Sequence, residues 1–493
     1  MANRYDEVPY PGRVFPATHP GHLAVIATLF GMTPAPAEGC RVLELGCGDG
    51  GNLIPMAYGL PGSEFVGVDL ARQPIRKGRE AIARLGLRNI ELLEADLAAF
   101  DPPGAPFDYI IGHGIYSWVP EPVRQSIWRI LSRRLAPQGV AYISYNARPG
   151  GLLREVMRQI LLFHVRDIAA PAEQIAEARR MADYIAQSEQ APEGFRALMA
   201  QEAKEVRERS DAALYHDYLA PESEPLWLHE FVARAEANGL QYLGDADLHL
   251  MFAGVAPKSS AGGPRFAGLE ENFVLREQYA DILLGRRFRR SLLCRAGLTL
   301  DRRLDPNRVR RFEISSPLVP AVAQPSLDAS AKIQFCSPQA GTITTNFPLG
   351  KAALMELSEL WPDSIPFEGL AERTARRLQG RLSEDDRRDL AQFLFRLVLA
   401  NMVELHLHRF AFSAEPGERP LASPVARLAA ETQSTVANLR HRAIELATPG
   451  ARELLLLLDG TRDRATLARE LNVPLELVES GLRDLARMAM LVH

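Results

Sequence analysis

The chain has 493 residues, of which 47% are hydrophobic, 24% charged and 7% aromatic; this is enough apolar content to bury several cores, so global disorder, a collagen-like rod and a disulfide scaffold are excluded. At about 150 residues per domain the length predicts roughly three domains. Its 57 basic and 61 acidic side chains leave a formal charge of -4, which gives no global electrostatic reason to expect nucleic acid or an anionic membrane as a partner. The four cysteines, Cys40, Cys47, Cys294 and Cys336, are widely spaced with no histidine cluster beside them. They predict neither a metal site nor a disulfide framework, and they suit reducing cytoplasm. The start, MANRYDEVPYPGR, lacks the apolar run of a signal peptide. No segment reaches the ~18 continuous apolar residues of a membrane span, so no stable membrane association is expected.

In chain order, the first region is YDEVPYPGRVFPATHPGHLAVIATLFG, whose density of proline and aromatic residues suits a segment wrapped over a cleft. Residues 40 to 145 then alternate between short β-branched runs (CRVLELG, EFVGVDL, NIELLEAD, FDYIIGH, VAYISYN) and amphipathic helices. That alternation predicts an α/β, Rossmann-like domain with a mostly parallel sheet covered on both faces. From Gly151 to about residue 215 the pattern becomes continuously helical, which predicts an insertion that could serve as a homodimer element or simply pack on its own domain. The strand LQYL is expected to complete the first sheet. APKSSAGGPRFAG at 256 to 268 and SSPLVPAVAQPSLDAS at 315 to 330 read as linkers. The expected division is therefore 1 to 255 for the first domain, 256 to 345 for a middle domain, and 346 to 493 for a mainly helical C-terminal domain whose last 40 residues read as winged-helix-like.

The strongest local signal is VLELGCGDGGN, residues 42 to 52. A strand ends in a glycine-dense turn and a helix begins, so the backbone can approach a ligand closely while the helix start presents free N–H groups. Gly46, Gly48 and Gly51 satisfy G-x-G-x-x-G, and Asp69 lies where an acid could accept from ribose hydroxyls, a pattern shared by nicotinamide and adenosyl sites. Glu44 and Asp49 distinguish the two. Carboxylates beside the turn repel a pyrophosphate and suit a zwitterion that carries an ammonium group. After the fourth strand, GHGIYSWVP places His113, Tyr116, Ser117 and Trp118 where loops of an open sheet meet ligands. These rings could orient an amine, or Tyr116 and Trp118 could simply anchor the next helix.

The run ELGCGDG, with Asp69 and with Asp96 in LLEADLAAF, resembles the class I S-adenosylmethionine-dependent methyltransferases. YDEVPY, FPATHPGHLA, GHGIYSWVP, YNARPG and YHDYL together resemble the bacterial members that carry a methyltransferase regulatory domain, a group that includes lysine methyltransferases acting on outer-membrane surface proteins. The resemblance implies S-adenosyl-L-methionine as cofactor. It implies a cofactor site made of Tyr10, Thr18, His19, Glu44, Gly46, Cys47, Gly48, Asp49, Gly50, Asn52, Asp69, Leu70, Asp96, Leu97 and His113. Asp69 would hold the ribose and Asp96 with Leu97 would border adenine. Tyr5 and Phe15 would help to enclose the ligands, and Asn146 would end strand five. Gly151 departs from the pattern, which places an aromatic there. His113, Tyr116 and Trp118 are the candidates around the reacting amine.

The implied reaction is direct in-line transfer of a methyl group to a protein side-chain amine, lysine in the first instance, with no metal required. A small-molecule N- or O-methyltransferase and a noncatalytic cofactor-binding regulator remain as alternatives. The basic stretch RRFRRSLLCRAG through NRVRR at 286 to 311 could dock an acidic surface or form paired structural faces. The last full helix mixes Glu476, Glu479 and Asp484 with Arg483 and Arg487, a poor major-groove surface, so DNA binding is not expected.

Overall fold

The computed structural model describes residues 4–101, 104–251, 272–303 and 305–492. Its centre is a seven-stranded sheet built from β1 (Arg41–Leu45), β2 (Glu64–Asp69), β3 (Ile90–Glu94), β4 (Phe107–Gly112), β5 (Leu135–Asn146), β6 (Leu240–Asp245) and β7 (Phe288–Arg295), in the order 3-2-1-4-5-7-6. Strands β1 to β5 run parallel. β7 lies antiparallel between β5 and β6. The order reverses beside β1, so the loops after β1 and β4 open into one crevice at the carboxyl ends of the strands, where open α/β sheets bind ligands.

Helices cover both faces. The short α1 (Arg4–Glu7) and α2 (Pro20–Leu29) precede the sheet; α3 (Leu53–Gly59), α4 (Arg72–Leu85) and α5 (Glu121–Arg134) alternate with its strands. Gly86 ends α4 in the left-handed conformation at φ 65°, a C-terminal stop that glycine reaches without steric cost. The helical insertion is present as α6 (Gly150–Val165), α7 (Pro171–Gln187), α8 (Glu193–Glu208) and α9 (Asp211–Asp217), closed around its own core of Met157, Leu161, Ala178, Ala182, Met199 and Leu214. Gly150 and Gly151 start this excursion against neighbouring backbone. A Cβ on Gly150 would lie 2.0 Å from the carbonyl oxygen of Gly285, whereas at Gly151, where the family pattern places an aromatic, a Cβ would stand 3.2 Å from Pro225 Cβ.

β6 joins the sheet as expected, and the sheet also draws on chain past the expected boundary at 255. The strand between β5 and β6 comes from 288–295, beyond that boundary. The physical reason lies in its charges. Arg286 and Arg289 are buried, and their partners are Asp245 at the end of β6 (3.2 and 3.3 Å) and Asp281 on the helix Phe273–Leu284 (3.0 and 2.7 Å), with Glu277 3.4 Å from Arg289. Arg286 and Arg289 of the basic run thus belong to an internal ion network, whereas Arg303 and Arg311 of the same run are exposed. Cys294 is buried on the same strand, whereas Cys336 is half-buried.

The second expected linker begins within paired strands. Glu313–Ser315 forms β8, the central strand of a small sheet with Ile365–Pro366 and Glu404–His406, and Val319–Pro320 pairs with Ile333–Ser337. Leu318 between these strands is fully buried, so the prolines here turn a packed chain instead of loosening it. The first expected linker, 256 to 268, lies outside the described residues. Residues 346 to 493 contribute to two hydrophobic clusters. Leu354, Leu390 and Leu394 share one core with Leu23, Ile26 and Phe30 of the first domain, whereas Ala422 to Leu491 close a separate core around the helices Pro449–Leu457, Arg464–Leu471 and Leu475–Arg487. Among the described residues no helix is long and apolar enough to cross a membrane.

Candidate active site

β1 delivers the chain into the glycine turn. Gly46 (φ 75°), Gly48 (φ 56°) and Gly50 (φ 73°) all take left-handed backbone conformations. The turn is anchored below by the N–H groups of Gly46 and Cys47, which donate to the Val68 carbonyl at 2.8 and 3.2 Å. The side chain of Cys47 is buried against Gly67, and burial pushes its thiol pKa up. A Cβ on Gly48 would meet nothing within 4 Å; this glycine therefore borders open space in the crevice. Gly51 is enclosed instead, because a Cβ there would stand 2.6 Å from the Cα of Gly12 in the N-terminal segment.

Asp69 ends β2 and accepts the N–H of Gly48 and of Ala71, both at 2.8 Å. Its carboxyl is nevertheless raised by burial, with the backbone donors opposing. Glu44 is 3% exposed; one of its oxygens accepts from Asn52 Nδ2 at 2.8 Å and the other, Oε2, has no partner. Burial raises its pKa to about 8, against the Asn52 hydrogen bond that lowers it. Asp49 forms an ion pair with Lys77 at 2.9 Å. Leu70 is 59% exposed, Asp96 is exposed in a turn that accepts the Ala98 N–H at 2.8 Å, and Leu97 is buried behind it.

The N-terminal segment lies over this turn. Asp6 accepts the N–H of Gln73 at 2.8 Å at the start of α4, and His216 of α9 stacks on Tyr5 (4.1 Å) and bonds the Val8 carbonyl (2.6 Å). Tyr10 meets the same imidazole edge-on at 5.8 Å. Further along, the Phe15 N–H donates to Asn52 Oδ1 at 2.9 Å, and Thr18 accepts from Asn52 Nδ2 at 3.0 Å. His19 stands at the start of α2. It caps α2 by accepting the Gly21 N–H at 3.1 Å and packs on His408, Phe410 and His441 of the C-terminal half, because the helix start needs an acceptor there.

Of the three residues expected around the amine, His113 alone faces the crevice rings. Its imidazole lies 3.7 Å from the Phe15 ring, with Nδ1 2.9 Å from the Tyr142 hydroxyl and Phe288 edge-on at 6.1 Å. Burial, with the charge of Arg290, pushes its pKa down to about 3, so the ring is neutral at ordinary pH. Tyr116 lies in the core. Its side chain is 0% exposed, its hydroxyl accepts from Trp128 Nε1 at 2.9 Å and from Arg234 at 3.3 Å, and its ring packs on Phe231 and Trp128. This placement fits the expected alternative in which Tyr116 anchors the following helix. Trp118 is half-buried beneath the Arg158 guanidinium of α6, 5.3 Å from the ring centre. Asn146 ends β5, its N–H donating to Ser117 Oγ at 2.9 Å. Tyr142, Phe288 and His216 escape a reading from sequence because only the sheet order and the insertion bring them to the crevice.

Three family models match the chain: a methyltransferase domain over residues 42–139, a predicted methyltransferase regulatory domain over 210–295, and the PKMT C-terminal winged helix domain over 418–488. The uncharacterized protein RP789 of Rickettsia prowazekii is 30% identical over 492 residues, which cover 98% of this chain and 88% of that protein. This chain is a class I S-adenosylmethionine-dependent methyltransferase with regulatory and winged-helix domains. Its structure matches that of PKMT2 from Rickettsia typhi with a TM-score of 0.87 and 26% identity, covering 98% of this chain and all of the other. The same protein in complex with AdoHcy matches with a TM-score of 0.87 and 25% identity.

The methyltransferase's crevice suits its cofactor on its own evidence. The unpartnered, buried Glu44 Oε2 calls for a donor, Gly48 leaves room for a ligand, and carboxylates at the ends of β1 and β2 match an ammonium and a ribose diol.

Proposed function

We propose that this methyltransferase transfers the methyl group to the side-chain amine of a protein lysine by direct in-line attack. The reading is carried by the likeness to PKMT2 along 98% of the chain, which includes the modules outside the methyl-transfer core. S-adenosylmethionine supplies an electrophilic sulfonium methyl group. Glu44 would hold its ammonium, Asp69 its ribose, and the left-handed glycines Gly46, Gly48 and Gly50 would let the backbone approach it closely, with Asp96, Leu97 and Leu70 toward the adenine. On the acceptor side, the Phe15–His113 ring pair offers an apolar wall with a neutral imidazole. Such a wall disfavours an ammonium, and the acceptor must be the neutral amine at attack.

The domain division that fits this reading runs the methyl-transfer unit through β7 at Arg295 and closes the winged-helix unit from about 418. A second copy of the chain would cover the helical insertion, where Phe163 and Tyr184 are 68% and 72% exposed beside Leu152, Leu153 and Val156. Phe163→Asp should then turn a dimer into a monomer in light scattering; a wild-type monomer refutes that assembly. Incubating labelled S-adenosylmethionine with candidate surface proteins and with metabolite extracts, followed by mass spectrometry, tests the acceptor. Label on lysine is expected, and label on metabolites alone overturns the reading.

A further inference from the structure

The C-terminal unit contains a two-stranded hairpin, Thr435–Ala437 paired with Ala443–Glu445. Its tip is tied by Asn438, whose N–H donates to the Arg442 carbonyl and whose side chain accepts the N–H groups of Arg440 and Arg442. The tip does not face solvent. Arg440 is buried over the Trp361 ring at 4.4 Å, donating to Ser315 Oγ at 2.9 Å. His441 turns the other way, into the first domain, where its Nε2 lies 3.0 Å from Asn52 Oδ1, 389 residues earlier in the chain.

The chemistry of this contact is determined by what Asn52 already does. A carbonyl oxygen can only accept, so His441 must donate from Nε2. Its Nδ1 is then a lone pair, and it is buried without a partner. With that bond the four hydrogen-bonding positions of Asn52 are filled. Oδ1 takes the Phe15 N–H and His441, while Nδ2 gives to Thr18 and to Glu44 Oε1. The orientation of the Glu44 carboxylate, and hence of its free Oε2, is set by this amide. His441 also holds φ 55°, a left-handed conformation that costs a side-chain-bearing residue energy, and it packs on His19 at 5.3 Å. A strained backbone, an unpartnered ring nitrogen and complete burial are expensive together, and the one polar contact they deliver is to the cofactor turn.

We propose that His441 is a positioning residue for cofactor binding: the hairpin tip of the C-terminal unit locks Asn52, and through it Glu44, in the geometry that receives the cofactor. The inference rests on the reading of Glu44 and Asn52 as the floor of that site. The winged-helix unit thereby completes the methyl-transfer site from inside the protein.

Two substitutions separate this role from mere packing. Asparagine is the side chain best tolerated at a left-handed position but its amide is too short to reach Asn52, whereas glutamine carries a donor at the position of Nε2 and keeps the backbone cost. A structural role alone therefore favours His441→Asn over His441→Gln; the positioning role predicts the reverse in affinity. Calorimetric titration of the full-length protein with S-adenosylhomocysteine should give His441→Gln a dissociation constant within about threefold of wild type, and His441→Asn one about tenfold weaker, the size of one lost hydrogen bond. Glu431→Gln, which removes the exposed contact with Arg84 between the same two units, should leave binding unchanged. Asn52→Ala distinguishes the levels of failure. If it binds as wild type, the floor itself is misread and the proposal falls with it; if it weakens binding while His441→Asn does not, only the coupling is overturned.

Discussion

Glu44→Gln should move stability and ligand affinity in opposite directions. In the unfolded chain the carboxyl has its ordinary pKa of 4.5, and in the folded protein burial raises it to about 8. The folded state thus keeps a proton that the unfolded state releases, so the contribution to stability is complete below about pH 4.5 and is lost as pH rises through about 8. Full ionisation costs about 5 kcal/mol at about 1.4 kcal/mol per pH unit. Glutamine preserves the oxygen that accepts from Asn52 but buries an amide N–H with no acceptor, an offset of about 1–3 kcal/mol. The ligand-free variant should therefore be the more stable protein by about 2–4 kcal/mol at pH 8.5, with the gap closing toward pH 5. Calorimetric melting at several pH values measures this directly. With an ammonium ligand the order inverts, because the charged form of Glu44 is the useful one; S-adenosylhomocysteine should bind the variant about 10- to 100-fold more weakly. Parallel pH profiles for the two proteins, or equal affinities, would refute the assignment of Glu44 as a desolvated carboxylate waiting for a cation.

Three further outcomes follow from the same geometry. Asp69→Ala removes a carboxylate poised for two ribose hydroxyls and already bonded to two backbone N–H groups, so titration with S-adenosylhomocysteine should show a loss of at least about a hundredfold while the far-ultraviolet circular dichroism is kept. Tyr116→Phe strips the acceptor from Trp128 Nε1 in a closed core; it should lower stability by about 1–3 kcal/mol in chemical denaturation and leave turnover near wild type, and a large turnover loss in a fully folded variant contradicts the anchor role. Arg289→Met leaves Asp281, Glu277 and Asp245 facing one another with only Arg286 among them, and should cost about 3–5 kcal/mol at pH 8. The cost should shrink at pH 5.5, since Glu277 already stands at about 7 and takes up a proton first.

The parts of this molecule legible in its sequence are those built from neighbours. CRVLELG, EFVGVDL and FDYIIGH announce buried parallel strands because both of their faces are covered and every residue can be apolar; the glycine turn announces itself because only glycine takes three left-handed positions in five residues. β7 does not, because FRRSLLCR carries the adjacent Arg289 and Arg290, the partners of Arg289 sit on β6 and on another helix, and a charge pattern in one segment carries no mark of acids elsewhere. Tyr116 and His113 stand three residues apart with similar chemistry, yet a single 3-10 turn, Tyr116–Trp118, sends one into the core and leaves the other among the crevice rings. The link from His441 to Asn52 is beyond any local pattern, since nothing near residue 441 distinguishes a hairpin tip that docks inward from one that points to water.

The late arrival of β7 has a consequence for synthesis on the ribosome. When Asn146 has emerged, β5 presents an unsatisfied edge of backbone N–H and C=O groups, and β6, which follows at Leu240, cannot fill it because its place is one strand further out. The sheet closes only after Arg295 is made, 149 residues past the end of β5 (295 − 146). A nascent chain interrupted at the apparent domain end near 255 therefore carries an open, apolar strand edge and two unpaired acids, Asp245 and Asp247, waiting for Arg286, Arg289 and Arg290. The length that looks like an appended module is what pairs the β5 edge of the catalytic sheet.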